Sequence, residues 1–599
     1  MIYHCEDHTC NYWDEGEKLP ERCPQCGRKL LRANEADMTG DDWTALGNTL
    51  WDAEASDKKR MVDCFRKAAY LGSAWGVCNL GICMEQGNGV EADPVQAFWL
   101  YQQAVEMGSL NAVCCLGVCY QYGIGTAPDA KQAAELYCKA AEYGSPRGQM
   151  LLARAFHDGI GVEADAAEAV YWVRAAAYQR YGVGMHRLGV CYEYGDGVEQ
   201  NWERAVHWFR EAAESGVGVA MTDLGYCYEK GCGVEQSWEQ AFSWYRISAE
   251  CGNPVSMSNL GLCYQMGYGV EQNWQEAIKW YEQGAQCGDL QSMHNLACCY
   301  EGGEGVEQNE DRAFYWYRRS AEGGNGSAMC NLGRCYKRGY GVEQNWQEAV
   351  KWYEQGAQCG NLQSMHNLAC CYEHGEGVEQ NMTEAIRWYT AAAEGGNADD
   401  MYELGWQYDH GEGVEQDMKK AICWYERAAE QNHPAAMNSL GECYAMGRGV
   451  PRDLETAMEW YRRAAELGEA MADYNMGWHL EQAGKLSEAY AHYRKAADGN
   501  DDSAWWALGR FYENGVVVAQ DGKEARRCYE TGEKLGSVKC KMRLARCKLL
   551  GIGGRRAKKA GLDLCRQALE LAKESSEKED YGYEAEMNLL RRTIAENES

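Results

Sequence analysis

A small residue recurs at intervals of 36 along most of this chain, and this spacing restricts the fold more than any other feature. We call it the marker residue of a repeat. A unit of this length cannot bury an apolar face alone, so it has to stack on copies of itself. The spacing therefore predicts one array of about fifteen repeats. The marker residues are Gly81, Gly117, Ala153, Gly189, Gly225, Gly261, Ala297, Gly333, Ala369, Gly405, Gly441 and Gly477, with flanking copies at Gly47, Gly509 and Ala545.

Each repeat reads as two helices joined by a glycine-containing loop. In the repeat of Gly261, apolar and small residues between Ser256 and Tyr264 recur at three- and four-residue steps, which places them on one face of a helix. This first helix is expected to end at the Gly-x-Gly-Val loop of residues 267–270, because glycine adopts the left-handed C-cap conformation without a steric penalty. The array is therefore predicted to consist of helical hairpins.

The second helix of each repeat carries a polar residue at its start and a tryptophan in its middle. Several of the polar residues are followed three positions later by glutamate, which is the spacing of a capping box. The tryptophans keep the repeat interval, and such regularity indicates packing between helices more than a cofactor or sugar site. The capping pairs are Asn273/Glu276, Asn345/Glu348, Asn381/Glu384 and Asp165/Glu168. The tryptophans are Trp172, Trp208, Trp244, Trp280, Trp316, Trp352, Trp388, Trp424 and Trp460.

The chain has 30 cysteines, a content that in a secreted protein would suggest disulfides. Ten of them, however, lie two residues after a marker residue. A residue that recurs at one position of a stacked repeat fills a small apolar space, as free cysteine often does. We interpret this set as buried free thiols. Its members are Cys83, Cys119, Cys191, Cys227, Cys263, Cys299, Cys335, Cys371, Cys443 and Cys547.

The pattern A-x-x-x-L-G-x-x-Y-x-x-G-x-G-V, followed by A-x-x-W-Y-x-x-A-A, recurs over residues 41–573. In this pattern the chain resembles the Sel-one-like repeat family, which is related to the tetratricopeptide repeats. The resemblance implies an all-α fold, a right-handed superhelical solenoid of helix pairs, and an adaptor role in protein complexes. We accordingly expect three regions: residues 1–36, a repeat solenoid over 37–573, and a C-terminal capping helix over 574–599.

Four cysteines precede the array, in a segment too short to bury a core. Cys5 and Cys10 are followed by Cys23 and Cys26, and the second pair lies in a Cys-Pro-Gln-Cys-Gly turn. Such a turn presents two thiolates to tetrahedral zinc, and bound zinc supplies the stability that the segment lacks. The segment is similar to rubredoxin-like knuckles, and we predict a zinc ribbon with a closed, structural site. Four reduced thiols in a disordered leader are the alternative.

In helix-pair solenoids the first helices line the concave surface. By the resemblance to tetratricopeptide repeats, the positions three before the marker residue, and one, four and five after it, line this groove. We call them the groove rows. They contain acidic, histidine and aromatic side chains, and Trp and Tyr are enriched at binding hot spots. A solvated polar face and burial between repeats are the alternatives. The predicted partner-binding residues are Glu301, Glu373, His366, His374, Tyr402, Trp406, Asp409, His410, Tyr474, Trp478 and Trp506.

Charge restricts the class of partner. The chain carries 59 lysines and arginines against 90 aspartates and glutamates, a net charge of −31. This balance argues against non-specific binding to nucleic acid or to an anionic membrane, and it favours a basic or neutral peptide. The last repeats are rich in lysine and arginine. This basic end could bind a second copy of the chain head to tail, or it could bind an acidic partner or nucleic acid. A solvated surface without a partner is the other alternative. The basic end comprises Lys539, Arg543, Arg546, Arg555 and Arg556.

The sequence carries no enzyme motif that we can identify. Metalloprotease, phosphate-loop and strand-flanked dinucleotide motifs are absent. No apolar run approaches the about 20 residues that span a bilayer, and the start does not resemble a signal peptide, so we expect a cytoplasmic protein. The sequence predicts a non-enzymatic adaptor for protein partners. A sensor that binds a small molecule or nucleic acid is the alternative.

Overall fold

The computed structural model describes residues 2–5, 13–15, 30–33, 38–51, 55–578 and 583–598. Contacts within the chain divide it into two compact units, Met1–Asn309 (unit 1) and Glu310–Ser599 (unit 2).

Unit 1 combines a small sheet with a series of helices. Its strands are β1 (Ile2–Cys5), β2 (Trp13–Glu15) and β3 (Leu30–Ala33). Its helices are α1 (Gly40–Thr49), α2 (Ala55–Tyr70), α3 (Ala74–Gln86), α4 (Pro94–Glu106), α5 (Leu110–Tyr122), α6 (Ala130–Glu142), α7 (Pro146–Asp158), α8 (Ala166–Tyr178), α9 (Gly182–Tyr194), α10 (Trp202–Glu214), α11 (Gly218–Lys230), α12 (Trp238–Glu250), α13 (Pro254–Met266), α14 (Trp274–Gln286) and α15 (Leu290–Gly302). The sheet is antiparallel with the order β2-β1-β3, and Tyr3 lies opposite both Asp14 and Arg32.

Unit 2 is helical throughout its described residues. Its helices are α16 (Glu310–Glu322), α17 (Gly326–Arg338), α18 (Trp346–Gln358), α19 (Leu362–His374), α20 (Met382–Glu394), α21 (Ala398–His410), α22 (Met418–Glu430), α23 (Pro434–Met446), α24 (Leu454–Glu466), α25 (Ala470–Gln482), α26 (Leu486–Asp498), α27 (Asp502–Asn514), α28 (Gly522–Lys534), α29 (Val538–Leu550), α30 (Lys558–Lys578) and α31 (Glu584–Glu598).

Within each unit the helices pack as successive hairpins. In unit 1, α3 packs on α4 and α5 on α6, and in unit 2 the same holds for α17 with α18 and for α27 with α28. First helices of successive hairpins also meet, as α5 meets α7 and α21 meets α23. The terminal helix α31 packs on α29 and α30. These packings confirm an all-α solenoid of paired repeats, whereas the right-handed superhelix and the three region boundaries stay predictions.

The marker glycine makes room for an aromatic ring. In most repeats a buried tyrosine or phenylalanine directly follows the recurring tryptophan, which we call the ladder tryptophan. The ring of this tyrosine or phenylalanine extends from the second helix across the marker residue. A Cβ atom at Gly225 would lie 2.6 Å from the ring of Tyr245, and one at Gly189 would lie 2.6 Å from the ring of Phe209. At these two positions glycine leaves room for the ring of its own repeat.

The two glycines of the Gly-x-Gly loop have different roles. Gly267 is the left-handed C-cap of α13, with φ 75°, and its N–H donates to the carbonyl of Cys263. Gly269 has φ 67°, and a Cβ atom there would collide with the carbonyl of Trp238 in the preceding repeat. The first glycine confirms the predicted C-cap, and the second lets the loop pack against the start of an earlier second helix.

Only one of the two hydrogen bonds of each predicted capping box forms. Asn273 Oδ1 accepts a hydrogen bond from the N–H of Glu276 at 3.2 Å, so the N-cap is present. The N–H of Asn273, however, donates to the carbonyl of Tyr264 at 2.8 Å, which leaves nothing for the glutamate to accept. Glu276 instead pairs with Lys279 at 3.2 Å. The reciprocal half of the prediction was wrong because the loop returns the N-cap N–H to the first helix, as it also does at Asn345, Asn381 and Asp165.

The recurring tryptophans and cysteines are packing residues. The ladder tryptophans are half-buried, and Trp172, Trp208 and Trp424 pack against the hydrophobic clusters of their units. All ten recurring cysteines are buried free thiols. Burial raises the pKa of Cys83 to about 11 and that of Cys371 to about 12. Both packing interpretations are confirmed. In the described part of the chain, no helix is both long and apolar enough to cross a membrane.

Candidate partner-binding surface

The acidic groove row, four positions after the marker residue, is bonded to the buried tyrosines. The hydroxyl of Tyr389 donates to Glu373 at 2.6 Å, and that of Tyr245 donates to Glu229 at 2.8 Å. Each bond satisfies a hydroxyl at the end of a buried ring, which would otherwise lose its hydration without compensation. The row therefore stabilises the repeat, and Glu229 also pairs with Lys230 at 2.8 Å. Glu301 occupies the same row at the end of α15, is half-buried, and accepts at its carbonyl from Gln308.

Asp409 is held inside the solenoid and does not project from it. The side chain is 4% exposed and forms an ion pair with Arg448 at 3.0 Å. The hydroxyl of Tyr425 lies 3.5 Å from its other oxygen. This predicted partner-binding residue is thus engaged with two groups of unit 2.

Three side chains from α19 and α21 form a Cys–His–Asp arrangement. Nδ1 of His366 lies 2.7 Å from Oδ1 of Asp400, which is completely buried. Nε2 of the same ring lies 3.6 Å from Sγ of Cys370, one turn further along α19. The Asp400 hydrogen bond, together with the one from Cys370, raises the pKa of His366 to about 10. The imidazole is therefore protonated at neutral pH and lies between a carboxylate and a thiol.

The other predicted histidines are exposed and bond to the backbone. Nδ1 of His374 lies 3.0 Å from the carbonyl of Cys370, and Nδ1 of His410 lies 2.9 Å from the carbonyl of Trp406. The His410 ring also stacks on Trp406, with 4.4 Å between the ring centroids. Among the described residues, no group of three or more His, Cys, Asp or Glu side chains is arranged to hold a metal ion.

The predicted aromatic residues fall into an exposed pair and a covered set. Trp406 is 37% exposed and Trp478 is 43% exposed, and both directly follow a marker glycine. Tyr402 stacks on His433 at 5.0 Å, and burial raises the pKa of Tyr474 to about 12. Trp506 donates its indole N–H to Glu586 of α31 at 3.2 Å. Only the first pair offers large apolar surface to a partner.

Most residues of the basic end are engaged within unit 2, and two of them pair with carboxylates. Arg543 pairs with Glu586 at 2.6 Å and with Glu513 at 3.3 Å, and Arg546 also pairs with Glu513. Lys539 lies over the ring of Trp506, 5.2 Å from its centroid. The guanidinium of Arg556 donates to Asn597 at 2.6 Å, while Arg555 is exposed. Most of these cations hold the terminal helices together.

The predicted zinc ligands are mostly outside the described part of the chain. Cys10, Cys23 and Cys26 lie outside the described residues, and Cys5 is described only as the last residue of β1.

A cavity in unit 1 was missed by the sequence reasoning. It has a volume of about 530 Å³ and lies among α7, α8 and α9. Three arginines stand at its wall: Arg147, Arg154 and Arg187. A usable signal was present, because Val173 follows the ladder residue Trp172 where most repeats have tyrosine or phenylalanine.

Comparison with known proteins agrees with the hairpin architecture. The model of the Sel1 repeat matches thirteen consecutive segments, each beginning in a first helix. The matched residues are 76–109, 112–145, 146–181, 182–217, 218–253, 254–289, 290–325, 326–361, 362–397, 398–433, 434–469, 470–501 and 504–537. The chain belongs to the Sel1 repeat family.

Solved Sel1 repeat structures share substantial identity with this chain. The antigen c5321 of uropathogenic Escherichia coli, described as a protective antigen with an SLR fold, is 32% identical, with a TM-score of 0.51. The alignment covers 75% of this chain and 97% of that one. A Sel1 repeat protein from Oxalobacter formigenes is 31% identical over 41% of this chain and 99% of that one, with a TM-score of 0.39. No curated protein matches the chain significantly.

The Sel1 repeat accounts for the marker glycine, the buried ring and the Gly-x-Gly loop of each hairpin. Features that differ from repeat to repeat are the ones that can distinguish this chain's ligands. In the described residues they include the cavity beside Val173, the His366–Cys370–Asp400 arrangement and the exposed tryptophans at 406 and 478. Solenoids of this kind are generally protein-interaction scaffolds and are typically not enzymes.

Proposed function

We propose that this Sel1 repeat protein is an adaptor that binds a basic peptide segment of a partner along the row Trp406, Glu442 and Trp478. The supporting observation is the exposure of the two tryptophans. They occupy the same position of their repeats, on α21 and α25, with Glu442 of α23 at the equivalent position between them. Buried tryptophans at the centre of an interface often contribute about 2 kcal/mol or more each.

Charge supports a basic partner at this row. Glu442 is partly exposed, and it accepts hydrogen bonds from Asn438 and Asn475, both at 3.2 Å. These amides carry no net charge. Arg448 lies 3.8 Å from the other carboxylate oxygen of Glu442 and pairs more closely with Asp409, at 3.0 Å. Together with the net charge of −31, this arrangement favours lysine or arginine between two apolar side chains of the ligand.

The test is affinity capture from native lysate with the double variant Trp406→Ala/Trp478→Ala. We expect loss of the specific partner, identified by mass spectrometry, while the helical circular dichroism stays unchanged. Trp75→Ala/Trp99→Ala is the matched control, because these side chains are 58% and 57% exposed but lie in unit 1. Equal capture by wild type and by the first double variant would refute the proposal.

We also propose that Cys5, Cys10, Cys23 and Cys26 bind one structural zinc ion. The support is the antiparallel sheet, in which Cys5 ends β1 while the other three cysteines lie in the sequence between β1 and β3. A segment of this size needs a metal for stability, since its sheet is too small to bury a core. The site has four protein ligands and no open position, so it supports structure and not hydrolysis.

Metal content measured by native mass spectrometry tests the zinc site. We expect one zinc per chain in the wild type and none in Cys23→Ser. Cys251→Ser, which removes an exposed cysteine of the repeat array, serves as the control and should retain the metal. Zinc-free wild type purified without chelators would contradict the site.

A cytoplasmic location is part of the same proposal. Its support is the large set of buried free thiols, which persist in a reducing compartment. Fractionation of the native host, with immunodetection of the chain, tests it, and recovery in an oxidising compartment would contradict it.

A further inference from the structure

The cavity of unit 1 occupies the space that an aromatic ring fills in most other repeats. In those repeats the ring crosses the marker residue, and in many of them its hydroxyl bonds the residue four positions later, as Tyr245 crosses Gly225 and bonds Glu229. In the repeat of Ala153, the ring position is Val173 and the residue four positions after the marker is His157. Ala153, His157 and Val173 all line the cavity. The cavity therefore includes the place of the missing ring, and we call this cavity the slot.

A second repeat that lacks the ring is closed by other means. In the hairpin of α29 and α30 the ring position is Cys565, and the buried residues of α31, including Met587 and Leu590, pack into the same hydrophobic cluster. At Val173 the structure shows no such filling, and a volume of about 530 Å³ is left. Part of the cavity lining is apolar and comprises Met150, Leu151, Ala169, Val170 and Val173.

The walls of the slot are positively charged, although the chain as a whole is acidic. Arg147, Arg154 and Arg187 face two carboxylates, Asp158 and Asp196, which leaves a formal charge of +1.

The carboxylates of the slot leave Arg187 weakly paired and Arg147 without an ion pair. The Arg147 guanidinium instead hydrogen-bonds the thiol of Cys115. Arg154 is paired with Asp158 at 3.2 Å, and His157 connects Asp158 to Asp196 through contacts of 2.6 and 3.3 Å. Arg187 reaches Asp196 only at 3.9 Å. Within the described part of the chain, Arg147 has no carboxylate at ion-pair distance.

We propose that this slot binds a small aromatic carboxylate of one or two rings. The ring of the ligand would lie over Ala153, next to Val173, as the ring of Tyr245 lies over Gly225. The carboxylate would meet Arg147 and Arg187. Guanidinium groups bind carboxylates through paired N–H donors, and a volume of this size is typical of small-molecule sites. The ligand thus supplies both the ring and the negative charge that this repeat lacks.

Isothermal titration with simple acids tests the ligand class. 4-Hydroxyphenylacetate and indole-3-acetate should bind the full-length wild type at a stoichiometry of one. 4-Hydroxyphenylacetamide, which has the ring without the charge, and hexanoate, which has the charge without a ring, should bind at least about tenfold more weakly. Absence of binding by both aromatic acids, or equal binding of hexanoate, would overturn the proposal.

Val173→Tyr tests the location, because it restores the ring that most repeats carry. This variant should lose binding of 4-hydroxyphenylacetate while keeping its helical content. Phe209→Tyr adds only a hydroxyl in the adjoining repeat and should bind as the wild type does. Arg187→Gln changes a partly exposed side chain, so it should fold normally and still weaken binding about tenfold. Wild-type affinity in Val173→Tyr or in Arg187→Gln would place the acid elsewhere and refute the site.

Discussion

At the scale of single residues, the ion pair between His366 and Asp400 connects two repeats. The carboxylate is fully buried and the imidazole is 26% exposed, so solvent screens this pair weakly. Because the pKa of His366 rises to about 10 on folding, its protonated form favours the folded state. That contribution is complete below the ordinary imidazole pKa of about 6.5 and is lost as the pH rises through about 10.

Asp400→Asn should lower the pKa of His366 toward its ordinary value, because an amide hydrogen bond does not favour the charged imidazole as a carboxylate does. We expect the unfolding free energy at neutral pH to fall by about 2 kcal/mol, the scale of a hydrogen bond between charged groups. Histidine-selective ¹⁵N NMR titration and urea unfolding measure the two effects.

Asp399→Asn is the control for this experiment. Asp399 is 78% exposed and contacts His433 at 3.3 Å, one residue away from Asp400. It should leave the His366 titration unchanged. If His366 titrates near its ordinary pKa already in the wild type, the ion pair does not form in solution.

Sequence reasoning placed individual residues on the correct helices but could not pair them. His366 and Trp406 were singled out because their positions relative to the marker residue are fixed by the repeat. Asp400 was not, because its contact with His366 comes from the adjacent repeat and depends on distances between helices. Val173 could have been noticed, since it interrupts a position that is aromatic in most repeats.

At the scale of elements, the basic end is a clamp on the terminal helix. Arg543 of α29 is held by Glu586 of α31 and by Glu513 of α27, and all three side chains are nearly buried. The sequence showed an excess of positive charge there. It could not show that acidic residues from two other helices pair with Arg543, because one lies about 30 positions earlier and the other about 43 positions later.

Glu586→Gln should loosen α31, because it leaves Arg543 buried with one carboxylate in place of two. Breaking a buried ion pair from one side costs about 3 kcal/mol. Hydrogen exchange followed by mass spectrometry should show faster exchange in α29 and α31, with unit 1 unaffected. Glu524→Gln, which removes an exposed pair with Arg527, should cost less than about 1 kcal/mol. Unchanged protection of α31 in Glu586→Gln would contradict the clamp.

The two ends of a helix differ in how far the nearby sequence determines their hydrogen bonds. Gly267 predicted its C-cap correctly, because the left-handed conformation is a property of the residue itself. The reciprocal capping box at Asn273 failed, because the partner of its backbone N–H lies on the preceding helix. A local pattern can predict which residue begins a helix. It cannot predict which backbone N–H groups already donate hydrogen bonds to another part of the fold.

At the scale of the whole molecule, both the net charge and the repeat architecture affect how strongly a basic partner is attracted. The chain carries a net charge of −31, although several groove-row carboxylates that bond a tyrosine hydroxyl also pair with a lysine or arginine, namely Glu229, Asp409, Glu481 and Glu513. A basic segment is therefore attracted over a longer range than its contacts with Trp406 and Trp478 extend.

The salt dependence of partner binding should separate the long-range attraction between charges from the apolar contacts with Trp406 and Trp478. Raising the ionic strength from about 0.1 M to about 1 M shortens the Debye length from about 10 Å to about 3 Å, so we expect affinity to fall by about tenfold or more. Surface plasmon resonance across this range measures the slope. Glu442→Gln should reduce the slope, whereas Trp406→Ala/Trp478→Ala should lower affinity at every salt concentration with the slope retained, because apolar burial is not screened. An affinity that does not change with salt would show that the partner is not recognised through its positive charge.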